Sequence, residues 1–332
     1  MEELYKKDSL NYKKFLKNLK DDIRKGYQEN PRNILENIKR DFNKVIVCGM
    51  GGSGIAADVL KIYLEETPID VVKDYKLPLT VNKKDLVIIS SYSGNTEEAI
   101  SCFRDARRKE LQSVILTSGG KLTETGLQTN TPVLKLPLGY PPRATLGYTF
   151  SYLIRILEEL GIIKSKEKEI GGLIEYLSKK HLEKLAIDLS EKVVGKTPLI
   201  YASPKYYPIA YRWKTQFNEN SKIHAFSSEI PELNHNELEG YNSGDKKYHV
   251  FLLVFDDDFS RIKKRTTITK EQISTKGVTA TELEIKGNIL AKIFSSILLG
   301  DWISYYTALK LGVDPTPVDF IEDFKKKMGP FV

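Results

Sequence analysis

The sequence predicts an α/β protein built from doubly wound, mainly parallel sheets flanked by helices. Three observations carry that prediction. Continuously apolar runs of strand length recur from residue 44 onward, helical patterns separate them, and the alternation pauses near residue 160 before resuming near 196. Buried runs separated by helices imply parallel strands covered on both faces. The pause implies two domains of similar type, which 332 residues are enough to build.

Taken in order, residues 3–40 read as helical, with Leu4, Leu10, Phe15, Leu19 and Ile23 at roughly helical spacing. "KVIVC" (44–48) is a strand that enters the loop "GMGGSG" and a helix to about Glu66, and "IDVV" (69–72) is the second strand. "LVIIS" (86–90) leads through "SYSGNT" into the helix "EEAISCFRDARRKE", and "SVILT" (113–117) and "PVLKL" (132–136) complete a set of five. "PPRATLGYTFSYLIRILEELG" (141–161) is a loop feeding a long helix, and a charged helical connector follows over roughly 165–195. The second alternation consists of the strand "PLIYA" (198–202), the helix "YYPIAYRWKTQFNEN", the strands "KIHAF" (222–226), "YHVFLLVF" (248–255) and "TELEI" (281–285), and a long helix over about 288–311.

Composition narrows the function classes. With 41% hydrophobic and 29% charged residues the chain has the balance of a folded globular protein. The net charge of +7 comes from 51 basic and 44 acidic residues, with lysines scattered among glutamates as in "KSKEKEIGG". That scatter is a solvated surface, so no nucleic-acid partner is expected, although the excess positive charge helps attract a phosphorylated substrate. The charged N-terminal stretch has no signal-peptide core, and "NILAKIFSSILLGDWI" is interrupted by Lys292 and Asp301, so no membrane partner is expected. Cys48 and Cys102 have no C-x-x-C partner and read as buried small hydrophobes in a reducing, cytoplasmic setting.

Two loops are suited to anions. Gly49-Met50-Gly51-Gly52-Ser53-Gly54 fits G-x-G-x-x-G between a strand and a helix, where backbone N–H groups approach a phosphate. Asp70 lies 16 residues after Gly54 and is placed for a ribose, so a dinucleotide-dependent oxidoreductase is one reading. The second loop sets Ser91, Ser93 and Thr96 between "LVIIS" and the next helix, where hydroxyls and N–H groups suit a compact phosphate monoester. Serines and threonines also cap helices with no ligand in view. Two such loops at strand carboxyl ends in one sheet point to a small phosphorylated ligand. A non-catalytic sensor of such a ligand would carry the same loops. On spacing alone, Glu219 in "FNENSK" reads as a surface glutamate, Lys310 as a helix-end lysine favourable to the dipole, Arg143 as a loop arginine and Thr145 as a helix cap. His224 reads as structural in its strand, and His181 and His249 belong to no constellation. His224 and His235 with Glu237 fit no zinc spacing, and no metal is expected.

"S-x-S-G-x-T" after "G-M-G-G-S-G" resembles the sugar isomerase (SIS) domain, a phosphosugar-binding doubly wound fold. Over residues 41 to 320 the chain is similar to the bifunctional phosphoglucose/phosphomannose isomerases typical of archaea. The resemblance is carried by "GMGGSGIAAD", "SYSGNTEEA", "TSGGKL", "PPRATLGY", "YRWKTQFNENSKIHAFSSEIPELNHNE" and "LKLGVDPTPV". It implies an N-terminal helical segment (1–40), a first SIS domain with the phosphate loops (41–162), a helical connector (163–195) and a second SIS domain with C-terminal helices (196–332). It also implies a homodimer with the active site at the subunit interface. Its substrates are hexose 6-phosphates, interconverted between glucose 6-phosphate or mannose 6-phosphate and fructose 6-phosphate through a cis-enediolate, without cofactor or metal. The resemblance makes Glu219 the base, His235 the ring-opening acid contributed by the neighbouring subunit, Lys310 an active-site lysine and Arg143 a stabiliser of the enediolate. It assigns the phosphate to Gly51, Gly52, Ser53, Ser91, Ser93 and Thr96, and leaves Gly49 and Gly54 to the turn.

Overall fold

The structure, a computed structural model, describes residues 5–329 and Phe331. The chain divides into two compact units: Lys17–Ser178 with Phe331, and the described residues up to Leu16 together with those from Lys179 to residue 329. The N-terminal helix α1 (Tyr12–Gln28) is shorter than the 3–40 expected, and residues 3 and 4 lie outside the described residues. It starts where it does because the Asp8 carboxylate accepts from the N–H groups of Tyr12 (2.6 Å) and Lys13 (3.1 Å), an N-terminal cap. Pro31 then precedes a single further turn, α2 (Arg32–Leu35). Proline disfavours helical backbone at the residue before it, so the helix does not run on.

The unit Lys17–Ser178 holds the first sheet. Its elements are β1 (Lys44–Cys48), α3 (Gly51–Tyr63), β2 (Ile69–Val72), β3 (Asp85–Ser90), α4 (Glu97–Arg108), β4 (Gln112–Thr117), α5 (Gly120–Gln128) and β5 (Val133–Lys135). The strand order is β2-β1-β3-β4-β5 and every pairing is parallel. Leu86, Val87, Ile88 and Ile89 are all fully buried, as an apolar strand covered on both faces requires. Cys48 and Cys102 lie in the same core with Ile46, Ile89 and Phe103. A 3₁₀ turn (Pro142–Ala144) leads into α6 (Leu146–Glu159), with 11 buried residues, and α7 (Glu167–Lys179) follows.

One carboxyl group in this unit couples stability to pH. Asp22 is 1% exposed, and its Oδ1 accepts from the Tyr140 hydroxyl at 2.9 Å. Burial pushes its pKa up to about 6, outweighing the Tyr140 hydrogen bond that opposes the rise. The folded state therefore holds the proton more tightly than the unfolded chain. Stability from this group is fully present below the ordinary carboxylate range and is lost as pH rises to about 6. Asp22→Asn is expected to gain stability relative to the wild type across that window, read from denaturation midpoints at pH 4 and pH 7. Equal midpoint differences at both pH values exclude the coupling.

The other unit holds α8 (Glu183–Glu191), β6 (Thr197–Ala202), α9 (Tyr207–Ser221), β7 (Phe226–Glu229), α10 (Glu237–Gly240), β8 (Tyr248–Phe255), α11 (Ser260–Thr275), β9 (Thr279–Ile285), α12 (Ile289–Lys310) and α13 (Asp319–Met328). The sheet order is β7-β6-β8-β9, again all parallel. The expected strand over 222–226 is corrected. Lys222 ends α9 in the left-handed conformation (φ +58), and Asn218 Nδ2 donates to the Ile223 carbonyl at 2.8 Å, so the segment is a turn. Pairing begins only at Leu199↔Phe226. His224 is accordingly an exposed turn residue stacked against Phe226, not a strand residue. Helix α12 is buried at 19 of its 22 positions and packs along α9. The two are tied by a bidentate pair, Arg212 Nε to Asp301 Oδ1 at 3.1 Å and Nη2 to Oδ2 at 2.7 Å, both residues at most 4% exposed. Among the described residues no helix is long and apolar enough to cross a membrane.

Candidate active site

Strand order directs attention to one edge of the first sheet. After β1 the chain moves to β2 on one side, and β3 lies on the other, so the crossovers diverge between β1 and β3. The carboxyl edge at such a divergence is where open parallel sheets bind ligands. Cys48 pairs with Ile89, so both strands end level there. The glycine loop follows β1 and the serine loop follows β3, so Gly51, Gly52, Ser53, Ser91, Ser93 and Thr96 share this edge.

Three helices begin at this edge; α3 and α4 start with no side-chain cap, whereas at α5 the Lys121 N–H is taken by Asn95 Oδ1 and the Leu122 N–H by the Gly94 carbonyl. The residues before α3, α4 and α5 are Met50, Thr96 and Gly119, and none makes a side-chain cap hydrogen bond. Uncapped first-turn N–H groups with the helix dipole behind them form an anion site. Thr96 would be a natural cap, but its Oγ1 instead pairs with Ser91 Oγ at 2.8 Å. Ser91 is 2% exposed and its Oγ also accepts from the Gly94 N–H at 3.2 Å. Ser93 is exposed and accepts from the Asn95 N–H at 3.2 Å, a local turn bond. Gly51 has φ +49 with open space where a Cβ would stand, and Ser53 is 5% exposed.

Two backbone contacts hold the loops in shape. A Cβ on Gly52 would lie 2.7 Å from the Pro142 carbonyl oxygen, so the turn bearing Arg143 packs directly on the glycine loop. Arg143 is 3% exposed. Thr145 precedes α6, but its hydroxyl donates to the Pro142 carbonyl at 2.8 Å and caps no helix N–H, which corrects its expected role. Gly94 has φ +69, and a Cβ there would lie 1.9 Å from the Gly119 carbonyl oxygen. Leu122 N–H donates back to the Gly94 carbonyl (3.0 Å) and Lys121 N–H to Asn95 Oδ1 (2.9 Å). The third loop, Ser118–Gly120, thus buttresses the second. Its part was missed in the sequence, where only the glycine pair signalled it.

Glu219, His235 and Lys310 belong to the other unit, and its topology sorts them. Helix α9 carries the chain from the carboxyl end of β6 to the amino end of β7, so Glu219 in its last turn stands at the amino edge of that sheet. Lys222 Nζ donates to the Glu219 and Pro315 carbonyls, which joins this end of α9 to the segment following Lys310. Lys310 closes α12; its Nζ donates to the Ile187 carbonyl at 2.9 Å and pairs with Glu191 at 3.0 Å. His235 comes after β7 ends, in the 3₁₀ turn Glu232–His235, so it stands at the carboxyl edge with its side chain exposed. The fold therefore groups Glu219 with the Lys310 end and sets His235 at the opposite end of β7.

The second sheet diverges between β6 and β8, and there the chain supplies its own anions. Ser203 Oγ donates to Asp258, the Tyr206 hydroxyl donates to Asp257 at 2.9 Å, and Lys292 pairs with Asp256 (2.9 Å) and Asp257. Among the described residues, the first sheet's edge lacks such built-in carboxylates at its divergence and leaves room for an anion from outside.

Comparison with known proteins bears on what this edge serves. A family model described as the bacterial phospho-glucose isomerase C-terminal SIS domain matches residues 182–328. A bifunctional phosphoglucose/phosphomannose isomerase of Caldicellulosiruptor bescii is 39% identical over 332 residues, covering 94% of this chain and 97% of that one. This chain belongs to the bifunctional phosphoglucose/phosphomannose isomerase family. As a member of that family it is an enzyme, an isomerase of the intramolecular oxidoreductase class, which sets aside the sensor and the dinucleotide-dependent oxidoreductase. Similarity extends beyond the phosphoglucose/phosphomannose isomerases: a D-glucosamine-6-phosphate 4-epimerase of Sulfolobus acidocaldarius is 36% identical over 220 residues, 64% of this chain and 69% of that one. Among solved structures, the C-terminal domain of glucosamine-fructose-6-phosphate aminotransferase from Francisella tularensis has a TM-score of 0.68, covering 92% of this chain and 97% of that one. At 16% identity that likeness shows the SIS-type fold alone.

Proposed function

We propose that the chain interconverts glucose 6-phosphate and mannose 6-phosphate with fructose 6-phosphate. The observation that carries this reading is the pair of uncapped helix N-termini, those of α3 and α4, beside the Ser91–Thr96 hydroxyl pair, in a chain so similar to isomerases of these sugars. The C2 proton of the open aldose is acidified by the neighbouring carbonyl. Glu219 takes it and returns it at C1, through an enediolate that the fixed charge of Arg143 stabilises. His235 protonates the ring oxygen when the sugar opens, and Lys310 contacts the sugar during that step. Gly51, Gly52, Ser53, Ser91, Ser93 and Thr96 hold the phosphate, whose binding energy orients the reacting carbons. The substrate's own carbonyl supplies the acidity, so the scheme calls for no metal or cofactor. The opposite edges taken by Glu219 and His235 support a homodimer in which each site draws His235 from the second copy.

The test is a coupled assay on glucose 6-phosphate and mannose 6-phosphate, each read as fructose 6-phosphate formed. Turnover of both is the expected result. If neither reacts while glucosamine 6-phosphate is inverted at C4, the similarity to the epimerase identifies the reaction instead.

A further inference from the structure

His235 sits on a turn that is held from both sides. On the near side, Asn234 Nδ2 donates to Thr269 Oγ1 of α11 at 2.8 Å, and Arg265 Nη1 donates to Asn234 Oδ1 at 3.4 Å. On the far side, Asn236 Oδ1 accepts from the Glu237 N–H at 2.5 Å, while Asn236 Nδ2 donates to Glu232 at 2.9 Å. The Glu237 side chain then turns onto the sheet. The Tyr201 hydroxyl donates to its Oε1 and Ser228 Oγ donates to its Oε2, so both carboxylate oxygens are bound. Tyr201 also shares a hydrogen bond with the Tyr241 hydroxyl.

The donors stand on rigid elements. Tyr201 belongs to β6 and is 0% exposed, Ser228 belongs to β7, and the two residues are register partners in the parallel pair. Burial, then Tyr241 and the Glu237 carboxylate, push the Tyr201 hydroxyl above the ordinary tyrosine range, so it stays protonated and remains a donor. Helix α10 has only four residues, too few to hold itself. Its place is set by the Glu237 clamp, and His235 lies two residues before that clamp.

We propose that Glu237 is a positioning residue for His235: bound by Tyr201 and Ser228, it fixes the turn that presents the imidazole for ring opening. The proposal rests on the role given to His235 above. Its consequence is selective. Loss of the clamp slows opening of the sugar ring and leaves the C1–C2 proton transfer alone.

The test uses the purified full chain, fructose 6-phosphate, and the analogue lacking the C5 hydroxyl, which cannot close a furanose ring. Glu237→Gln keeps the side-chain size but offers one oxygen where two are needed, so one hydroxyl loses its acceptor. On fructose 6-phosphate its kcat is expected to fall about tenfold to a hundredfold with KM within about threefold, and on the ring-less analogue kcat is expected to stay within about threefold. His235→Gln, run alongside, is expected to show the same selectivity. Equal losses on both substrates for Glu237→Gln alone overturn the proposal, as does full activity in Glu237→Gln while His235→Gln is impaired. If His235→Gln slows both substrates alike, the role of His235 itself falls and the proposal with it, a pattern distinct from failure at Glu237. Should Glu237→Gln not fold, Ser228→Ala removes one donor, and the same selective loss is expected at about fivefold, the worth of one hydrogen bond.

Discussion

Glu219→Gln is expected to lose about a thousandfold in kcat while KM stays within about threefold of the wild type. The amide has the shape of the carboxylate but cannot accept a proton. Every step that binds or orients the sugar survives, and only the transfer between C1 and C2 fails. Glu219 is half-buried in the last turn of α9, and it lies in the field of the buried Arg212 guanidinium on the same helix. The decisive measurement follows the C2 hydrogen of glucose 6-phosphate into deuterated water by NMR. A variant that exchanges this hydrogen at the wild-type rate removes Glu219 from the role of base, whatever its net turnover.

The second large effect is on stability. Asp301→Ala is expected to cost about 3–5 kcal/mol, because it strands a buried guanidinium with its bidentate partner gone. Arg212 and Asp301 are 2% and 4% exposed, so little solvent is at hand to replace the lost contacts. The pair holds α9 to α12, the helices whose last turns carry Glu219 and Lys310. Further toward those ends Asn220 Nδ2 donates to Ser304 Oγ (3.0 Å) and Ser221 Oγ to the Ser304 carbonyl (2.6 Å), which keep the last turn of α9 in place. Replacing both members with apolar residues, as in Arg212→Met with Asp301→Leu, is expected to cost far less than the single change, since neither member of the pair is left buried without the other. Urea midpoints for the single and double variants decide the matter: a single variant within about 1 kcal/mol of wild type contradicts the account.

The parallel sheets were legible because their strands are apolar without interruption: "KVIVC", "LVIIS" and "YHVFLLVF" have no polar face to confuse the period. Helix α11 was not legible. Its buried positions are Thr266, Thr269 and Ile273, so threonines fill places that apolar residues would mark. Helix α5 was not named in the sequence, and its glycines, Gly120 and Gly126, weaken a helical pattern. The strand expected at 222–226 failed for a related reason: Ile223 and Ala225 alternate with polar residues, but the alternation belongs to a turn closing α9. At the site, the glycine and serine loops declared themselves by residue type and spacing. The bond between Ser91 and Thr96 did not, because either hydroxyl is equally suited to capping a helix. Nor did the clamp on Glu237, whose donor Tyr201 lies 36 positions away in the chain.

The interlock of Gly94 with the Ser118–Gly120 turn has a thermodynamic corollary. A loop whose shape is settled when the chain folds has little conformational freedom left to lose when an anion arrives. Affinity at that edge then follows the electrostatics of the amides it presents, and it weakens with added salt as a rigid receptor's does, with no lag for rearrangement.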